Sequence, residues 1–352
     1  MTMILFALLV STFIAFVTTP LVILLAQKLQ LVDDPKKRHH PANTHVGVVP
    51  RAGGIALLIP FVVSTLIFVP MSQIVVGVLL GAILIVVLGI LDDKLDLAPS
   101  IRLIAIFAIV GLVILFGLGI PYISNPFGGV IQLDQFKFTY ELFGEQKEFL
   151  ILSNIFALIW ISAIMNFVNW SSGVDGQLPG FTAIACVFLG LLALRFTAHE
   201  ISSQSVALLA FIAAGAFIGF FPWHFYPQKI MPGFSGGALA GFLLGVLSIL
   251  SWGKIGTMAL VLAVPLVDAL YIIVRRISSG KSPLKGDAGH FHHRLLEVGW
   301  GKRRIAIFYI IVSILFGIVA LYLESTQKVL AFLTVGILLA LFIITLNTVK
   351  KH

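Results

Sequence analysis

The residues best suited to chemistry are acids and histidines in short polar segments between long apolar runs. Asp92 and Asp93 are adjacent and directly follow one such run. Adjacent carboxylates repel each other and are costly near a low-dielectric medium, so a cation or a basic substrate usually holds them. Two hard oxygen ligands beside phosphate are what Mg²⁺ prefers. A solvated helix end is the structural alternative, but a carboxylate there opposes the helix macrodipole, which favours a functional role.

A second polar segment carries two asparagines, a carboxylate and glycines. Asn166 and Asn169 are three residues apart and share one face of a helix, and Gly173 lets the backbone leave that helix before Asp175. Two amides and one carboxylate at such a turn could hold a metal, a sugar or the edge of a base. The structural alternative is a helix exit capped by Asn and Gly, so this motif alone is moderate evidence.

Three histidines and an arginine lie close together in a basic segment, 275–304. They are His290, His292, His293 and Arg294. This spacing could bind zinc, but no cysteine lies in a polar segment to complete a soft site, and the neighbouring basic residues would repel a cation. Histidine and arginine donors aimed at phosphate oxygens fit these surroundings better.

A fourth polar segment is a basic stretch near the N-terminus, with Lys36, Arg38 and His39, followed by Arg51 and paired glycines. A basic loop beside anionic lipid is often only a topology signal. The prolines and glycines of this stretch favour an ordered loop over a simple charged tether.

The elements that must position these residues are membrane helices. Of 352 residues, 59% are hydrophobic and 11% charged, and the mean hydropathy is +1.08. Soluble domains carry about 25% charged residues, so a soluble domain and a disordered chain are both excluded. Apolar runs of about 20 residues match the hydrocarbon core of a bilayer. The sequence therefore predicts an all-α polytopic membrane protein with one domain over 1–352. Eleven transmembrane helices are predicted, at 4–26, 53–70, 74–91, 102–120, 150–168, 180–195, 204–221, 237–251, 256–274, 305–323 and 329–348.

The distribution of Lys and Arg predicts the orientation. One set of alternate segments holds 18 of the 23 basic residues and is therefore predicted to face the cytoplasm. These segments are 27–52, 92–102, 169–179, 222–236, 275–304 and the C-terminal tail. The N-terminus is then outside and the C-terminus inside. The four motifs lie in these cytoplasmic segments, so one cytoplasmic surface is predicted to gather them. Alternating residues over 130–140 predict a short extracellular β-hairpin.

One acid lies inside a predicted span. A carboxylate at the centre of a membrane helix costs about 2.5–3.5 kcal/mol on insertion scales, so Asp268 is predicted to face protein and to have a partner. Arg275 and Arg276 follow closely and place it near the inner boundary.

In this order the four motifs, from Asp33 to Arg294, resemble those of the polyprenyl-phosphate sugar-1-phosphate transferases of the MraY/WecA type, glycosyltransferase family 4. The histidine segment is more similar to the WecA/TagO N-acetylhexosamine branch. The resemblance implies transfer of sugar 1-phosphate from a UDP-sugar to undecaprenyl phosphate with release of UMP, which initiates cell-envelope polysaccharide synthesis in the bacterial inner membrane. It implies Mg²⁺, or Mn²⁺, as cofactor, membrane lipid as surroundings and no nucleic acid, and it leaves a homodimer open.

Carried over by position, the resemblance assigns three sets of residues. The catalytic set is Asp92, Asp93 and Asp175. The metal-binding set is Asp92, Asp93, Asn169 and Asp175. The substrate-binding set is Lys36, Arg38, His39, Arg51, Asn166, Asn169, His290, His292, His293 and Arg294.

The sequence departs from the family pattern at two positions. The family usually has Asp where Ser172 stands, and a metal-ligating Asp where Phe234 stands. Phenylalanine cannot ligate Mg²⁺, so we expect the metal to bind chiefly together with the pyrophosphate of the donor. The second pKa of a phosphate monoester is near 6, so the lipid phosphate is mostly its own nucleophile at pH 7, and a base role for Asp93 is predicted to be modest.

Two other classes of protein are alternatives to the enzyme. A lipid transporter should carry charged residues at mid-membrane and show related halves, whereas the polar residues here are one-sided. A catalytically impaired homologue that only binds lipid or nucleotide-sugar is the other class, and Phe234 is its best support.

Overall fold

The protein is helical, with a small amount of β structure. The computed structural model describes residues 1–36, 47–125, 128–142, 145–195, 203–251, 255–282 and 289–349. The helices in these ranges are α1 Thr2–Lys28, α2 Gly53–Phe68, α3 Gln73–Leu95, α4 Pro99–Leu115, α5 Ile151–Trp170, α6 Gln177–Ala193, α7 Ser203–His224, α8 Gly233–Leu250, α9 Ile255–Val261, α10 Ala263–Ser278, α11 Phe291–Glu297, α12 Lys302–Tyr322 and α13 Ser325–Val349. The strands are β1 Val32–Asp33, β2 Val49–Pro50, β3 Tyr122–Ser124, β4 Val130–Gln132, β5 Lys137–Leu142 and β6 Glu145–Leu150.

The lengths and composition of the helices identify a polytopic membrane protein. Among the described residues, seven helices are long and apolar enough to cross a membrane, or eight if the bent pair α9 and α10 counts as one span. The helices α2, α4 and α6 are apolar but shorter. Each of the predicted spans overlaps one of these helices or the bent pair.

The span predicted over 256–274 is broken. α9 and α10 meet at an angle of 87°, and Pro265 lies in the first turn of α10. Proline has no N–H to bond the carbonyl four residues earlier. That carbonyl, of Val261, instead accepts a hydrogen bond of 3.0 Å from the hydroxyl of Ser313 in α12. The chain therefore changes direction at this point, and the carbonyl of Val261 is still hydrogen-bonded.

Five helices begin three or four residues before the predicted apolar runs. They start at Pro99, Gln177, Gly233, Lys302 and Ser325. Hydropathy does not detect a polar first turn, but proline suits the first helical position, and side chains of other helices can bond the free N–H groups of a helix start. As a consequence, Arg102 of α4 and Lys302 of α12 lie in first turns rather than in loops.

The buried centre of the bundle is α8. α3 and α5 pack against it, and α1 and α6 pack against α7. Small residues allow the close approach that is typical of membrane helices. Gly89 of α3 lies against Ser235 of α8, and Gly241 of α8 lies against the backbone of Met165 in α5. These crossings fix the ends of α3 and α5 beside the start of α8.

One end of the bundle gathers the polar segments, and we call it the polar end: there α1, α3, α5 and α7 end, and α2, α4, α6 and α8 begin. The N–H of Gly53 donates to the carbonyl of Met231 at 3.0 Å, and the N–H of Met231 donates to the carbonyl of Pro50 at 2.8 Å. The N–H of Gly176 donates to Nδ1 of His224 at 2.6 Å. These bonds tie the starts of α2 and α6 to the end of α7 and the loop after it.

The alternating segment 130–140 forms strands but not one hairpin. β4 pairs back with β3, and β5 pairs forward with β6. Between the two hairpins, Leu133 is buried and its N–H donates to the carbonyl of Pro121 at 2.7 Å. The alternation correctly predicted β structure here, but the inward leucine divides it between two antiparallel pairs.

Candidate active site

Asp93, in the last turn of α3, binds the first turn of α8. Its Oδ1 accepts the N–H of Phe234 at 2.9 Å, and its Oδ2 accepts the N–H and the hydroxyl of Ser235 at 3.3 and 3.1 Å. Arg51 places Nε 2.8 Å from Oδ1, and the Asp93 side chain is 2% exposed. An anion is stabilised at the positive end of a helix macrodipole. Both oxygens of this carboxylate are therefore held by the protein.

Arg51 also faces a second carboxylate. The pairing of β1 with β2 places Asp33 opposite Val49, two residues before Arg51. Nη1 of Arg51 lies 4.0 Å from Oδ2 of Asp33, and Oδ1 of Asp33 is buried with no hydrogen-bond partner among the described residues. Arg51, which was predicted to bind substrate, thus lies between two acids.

Asp92 points to a different helix from Asp93, because adjacent helical residues project about 100° apart. Its Oδ2 accepts a hydrogen bond of 3.2 Å from Nη1 of Arg102. The guanidinium carbon of Arg102 lies 5.2 Å from the centre of the Phe234 ring. Oδ1 of Asp92 is buried and has no hydrogen-bond partner within the described part of the chain. Asp92 therefore keeps one open oxygen beside its countercharge.

The two asparagines at the end of α5 have different surroundings. Nδ2 of Asn166 donates to the carbonyl of Ser162 in its own helix at 2.8 Å. Asn169 faces α8, where a Cβ on Gly237 would meet its Oδ1. Gly237 lies two to three residues, about 3–4.5 Å along the helix axis, beyond the α8 residues that bind Asp93. Asn169 therefore contacts α8 within one turn of the residues that bind Asp93.

Asp175 is held from two other directions. Its Oδ1 lies 3.0 Å from Nζ of Lys302 at the start of α12, and its Oδ2 accepts the N–H of Gln228 in the α7–α8 loop at 3.1 Å. Its side chain is buried. Lys302 also lies over the ring of Tyr226, at 5.4 Å from the ring centre. Asp175 thus connects the α5–α6 turn to α12.

Asp268 orients the histidine segment. Its Oδ2 lies 2.9 Å from Nδ1 of His290, and its Oδ1 accepts the N–H of Phe291 at 2.8 Å. Asp268 is 1% exposed. The prediction that it faces protein and has a partner is therefore confirmed. Because Phe291 is the first residue of α11, the same carboxylate caps this helix and fixes the ring of His290.

His292 is a buried and neutral histidine. Both of its ring nitrogens lack a hydrogen-bond partner among the described residues, and a Cβ on Gly173 would overlap its Nε2. Burial, followed by the neighbouring His293 and His290, lowers the pKa of His292 well below the usual 6.5. A neutral ring with open nitrogens at the α5–α6 turn can donate one hydrogen bond to a ligand there.

The other two residues of the histidine segment lie against protein. Nε of Arg294 donates to the carbonyl of Gly289 at 2.9 Å, and its guanidinium carbon lies 5.4 Å from the centre of the Tyr271 ring. The rings of His293 and His292 are 4.3 Å apart between centres. Nη1 of Arg294 is buried and unbonded within the described residues, so one donor of this arginine is open.

The basic stretch near the N-terminus is described only at its beginning. Lys36 is exposed, and its N–H donates to Oδ1 of Asp34 at 3.0 Å. Arg38 and His39, which were also predicted to bind substrate, lie outside the described residues.

A row of contacts joins the predicted residues along the polar end. It runs from Asp93 to the first turn of α8, and from Gly237 to Asn169. It continues through the hydroxyl of Ser172, which donates to the carbonyl of Asn169 at 2.6 Å, to Gly173 and His292. The described residues contain no group of three or more His, Cys, Asp or Glu side chains that could hold a metal ion. The three aspartates of the predicted metal-binding set therefore do not form such a group by themselves.

Reasoning from the sequence missed two basic residues of this site. Arg102 and Lys302 each pair with a predicted catalytic acid, but in the sequence they stand at the edges of apolar runs and were counted only as orientation signals. A basic residue in the first turn of the helix that follows an acidic segment is the signal that could have identified Arg102.

Comparison with known proteins identifies the family of this chain. A model of glycosyl transferase family 4 matches residues 75–252, about half of the chain. The chain belongs to glycosyl transferase family 4. The matched residues run from α3 to the end of α8 and include Asp92, Asp93, Asn169, Asp175 and Phe234. The family that the four motifs predicted is thereby confirmed.

Proteins similar to this family 4 member align over most of its length. A probable undecaprenyl-phosphate N-acetylglucosaminyl 1-phosphate transferase of Bacillus subtilis is 28% identical, over 95% of this chain and 88% of its own. A decaprenyl-phosphate N-acetylglucosaminephosphotransferase of Mycolicibacterium smegmatis is 29% identical, over 90% of this chain and 80% of its own. A phospho-N-acetylmuramoyl-pentapeptide-transferase of Bacillus pumilus is 25% identical, over 91% and 98%.

Proposed function

We propose that this protein transfers an N-acetylhexosamine 1-phosphate from a UDP-sugar to a polyprenyl phosphate such as undecaprenyl phosphate, with release of UMP. The observation that carries the proposal is the row of contacts at the polar end, which joins Asp93 of α3 and Asn169 of α5 to His292 of α11. The names of the Bacillus subtilis and Mycolicibacterium smegmatis relatives support N-acetylglucosamine as the sugar.

The reaction needs charge neutralisation and positioning more than covalent help. An oxygen of the lipid phosphate attacks the phosphorus that carries the sugar. The bond from this phosphorus to the bridging oxygen of the donor breaks, and UMP leaves with the bonding electrons. Because the lipid phosphate is mostly ionised at pH 7, no strong base is needed. Both oxygens of Asp93 are occupied, so we assign Asp93 to holding Arg51 and the start of α8 rather than to proton transfer.

Mg²⁺ or Mn²⁺ would be held by Asp92 and Asn169. A buried oxygen without a partner, such as Oδ1 of Asp92, suits a hard cation, and Mg²⁺ commonly takes one or two carboxylates together with waters and substrate phosphates. The metal, when bound, supplies positive charge to the diphosphate of the donor. Asp175 instead holds Lys302 and the α7–α8 loop in place.

We further propose that the polar end faces the cytoplasm of a bacterial cell, where the UDP-sugar is available. The excess of basic residues in the polar-end segments supports this orientation. Eleven crossings result if the seven long helices, the three shorter apolar helices and the bent pair each span the bilayer. The N-terminus and the two hairpins of 122–150 are then outside, and the C-terminus is inside.

The direct test is release of UMP by the purified full-length protein, given Mg²⁺, undecaprenyl phosphate and one UDP-sugar at a time. We expect UMP with UDP-N-acetylglucosamine or another N-acetylhexosamine donor. Asp92→Asn should abolish it, because the open oxygen is lost. Lys94→Gln is the matched control, since Lys94 is exposed on the same turn of α3 and should leave the rate unchanged.

The same assay separates the enzyme from the impaired homologue. A protein that binds UDP-sugar or lipid phosphate but releases no UMP with any donor would contradict the proposed transfer and identify a binding homologue.

A further inference from the structure

Phe234 stands where the family usually has a metal-ligating Asp, and its ring contacts Arg102. Arg102 contacts Asp92 at 3.2 Å, and its guanidinium lies over the Phe234 ring at 5.2 Å. A planar, weakly hydrated guanidinium stacks well on an aromatic face. The ring therefore supports the cation on one side, while the carboxylate binds it at an edge.

Arg102 and Asp92 are both largely shielded from solvent. The Arg102 side chain is only 28% exposed, and that of Asp92 is 2% exposed. The backbone N–H of Phe234 is held by Asp93, and Phe234 is buried at the start of α8. A cation that is held beside a buried carboxylate lowers the attraction of that carboxylate for a second cation.

We propose that Arg102, supported by Phe234, is the resident countercharge of Asp92, and that it keeps divalent metal from binding tightly to the protein without donor. Metal then binds together with the diphosphate of the donor, whose oxygens complete its ligand set. This rests on the proposed function for the identity of the donor, but its first test needs only metal and protein.

The proposal differs from simple loss of a ligand at position 234. If only the missing carboxylate weakened the site, metal affinity would stay the same or fall when Arg102 is removed. If Arg102 competes with the metal, its removal should raise metal affinity.

The experiment is titration of Mn²⁺ into the purified full-length protein in detergent, without donor, with free Mn²⁺ measured by its electron paramagnetic resonance signal. We expect weak binding by the wild type and binding tighter by about tenfold or more for Arg102→Gln, because a cation in contact with a ligand is removed. Phe234→Leu, which removes the ring but adds no carboxylate, should show a smaller rise in affinity.

Lys94→Gln removes the same charge from an exposed position two residues from Asp92 and should bind like the wild type. Thermal unfolding by circular dichroism selects the variants that are folded. Equal affinities for Arg102→Gln and Lys94→Gln would overturn the proposal, as would wild-type affinity in Phe234→Leu or tight binding by the wild type without donor.

The UMP assay is independent of this result. Tighter metal binding in Arg102→Gln without UMP release by the wild type would leave the countercharge established and the proposed transfer refuted. UMP release without any change in metal affinity would do the reverse.

Discussion

Substitution of Asp268 by Asn should lower the rate of transfer through its effect on His290. Oδ2 of Asp268 lies 2.9 Å from Nδ1 of His290, and its Oδ1 accepts the N–H of Phe291 at 2.8 Å. A carboxylate can accept a hydrogen bond at each of these two oxygens. Asparagine has one acceptor oxygen in this geometry and turns an NH₂ group towards the second donor. One charge-assisted bond is lost, and such bonds contribute about 1.5–3 kcal/mol.

If this free energy serves to hold His290 in its working orientation, kcat for UMP release should fall roughly 10- to 100-fold, since about 1.4 kcal/mol corresponds to tenfold. KM for the donor should change less if the orientation matters mainly in the transition state. Asp134→Asn is a suitable control because it removes a carboxylate from an exposed position between the two hairpins.

A double-mutant cycle shows whether Asp268 acts through His290. In a His290→Ala background the further substitution Asp268→Asn should have little effect on kcat. It should still lower stability, because the bond to Phe291 is weakened. Full additivity of the two losses would contradict the positioning role, and so would a wild-type rate in Asp268→Asn alone.

Three other substitutions test single contacts. Gly237→Ala should lower transfer activity because its Cβ would displace Asn169, whereas Gly111→Ala, with nothing within 4 Å, should keep full activity in the same UMP assay. Ser313→Ala should lower the free energy of unfolding by about 1 kcal/mol in thermal denaturation, since the bond to the open carbonyl at the α9–α10 break is lost. His292 has a lowered pKa, so the unfolded chain binds its proton more readily, and the associated stability should be lost as pH falls from about 6.5. His292→Gln should reduce this loss between pH 7 and 5, and an unchanged pH profile of stability would contradict the assignment.

The helices were largely predictable from the sequence, because apolar runs of membrane length leave few alternatives. The exceptions have local causes. Pro265 breaks one span, and Leu133 divides the alternating segment between two hairpins. Hydropathy shows neither the break nor which neighbouring strands pair, and it does not identify Ser313 as the residue that bonds the freed carbonyl of Val261.

For the site, the sequence predicted a set of acids but not the side chains that bind them. Asp268 was expected to have a partner because a lone buried carboxylate is costly, yet nothing in the spacing identifies His290 as that partner. Arg102 and Lys302 were missed for a related reason. The first turns of α4 and α12 are polar, so hydropathy placed Arg102 at the edge of its span and Lys302 before its span. Ion pairs between helices are a property of the packing, which a single sequence does not display.

Three other carboxylates of the site are each paired with a basic side chain. The pairs are Asp92 with Arg102, Asp93 with Arg51, and Asp175 with Lys302. Such largely buried pairs contribute little to stability, because the cost of desolvation offsets the attraction, and apolar replacements are often neutral or better. Three such pairs lie at one end of the bundle, beside an open oxygen on Asp92 and open nitrogens on His292. Binding of a charged ligand therefore explains these pairs better than a contribution to folding stability. On this reasoning Phe234 does not mark a site that has lost its purpose. It marks one in which arginine holds part of the charge balance until the donor brings its own phosphates and metal.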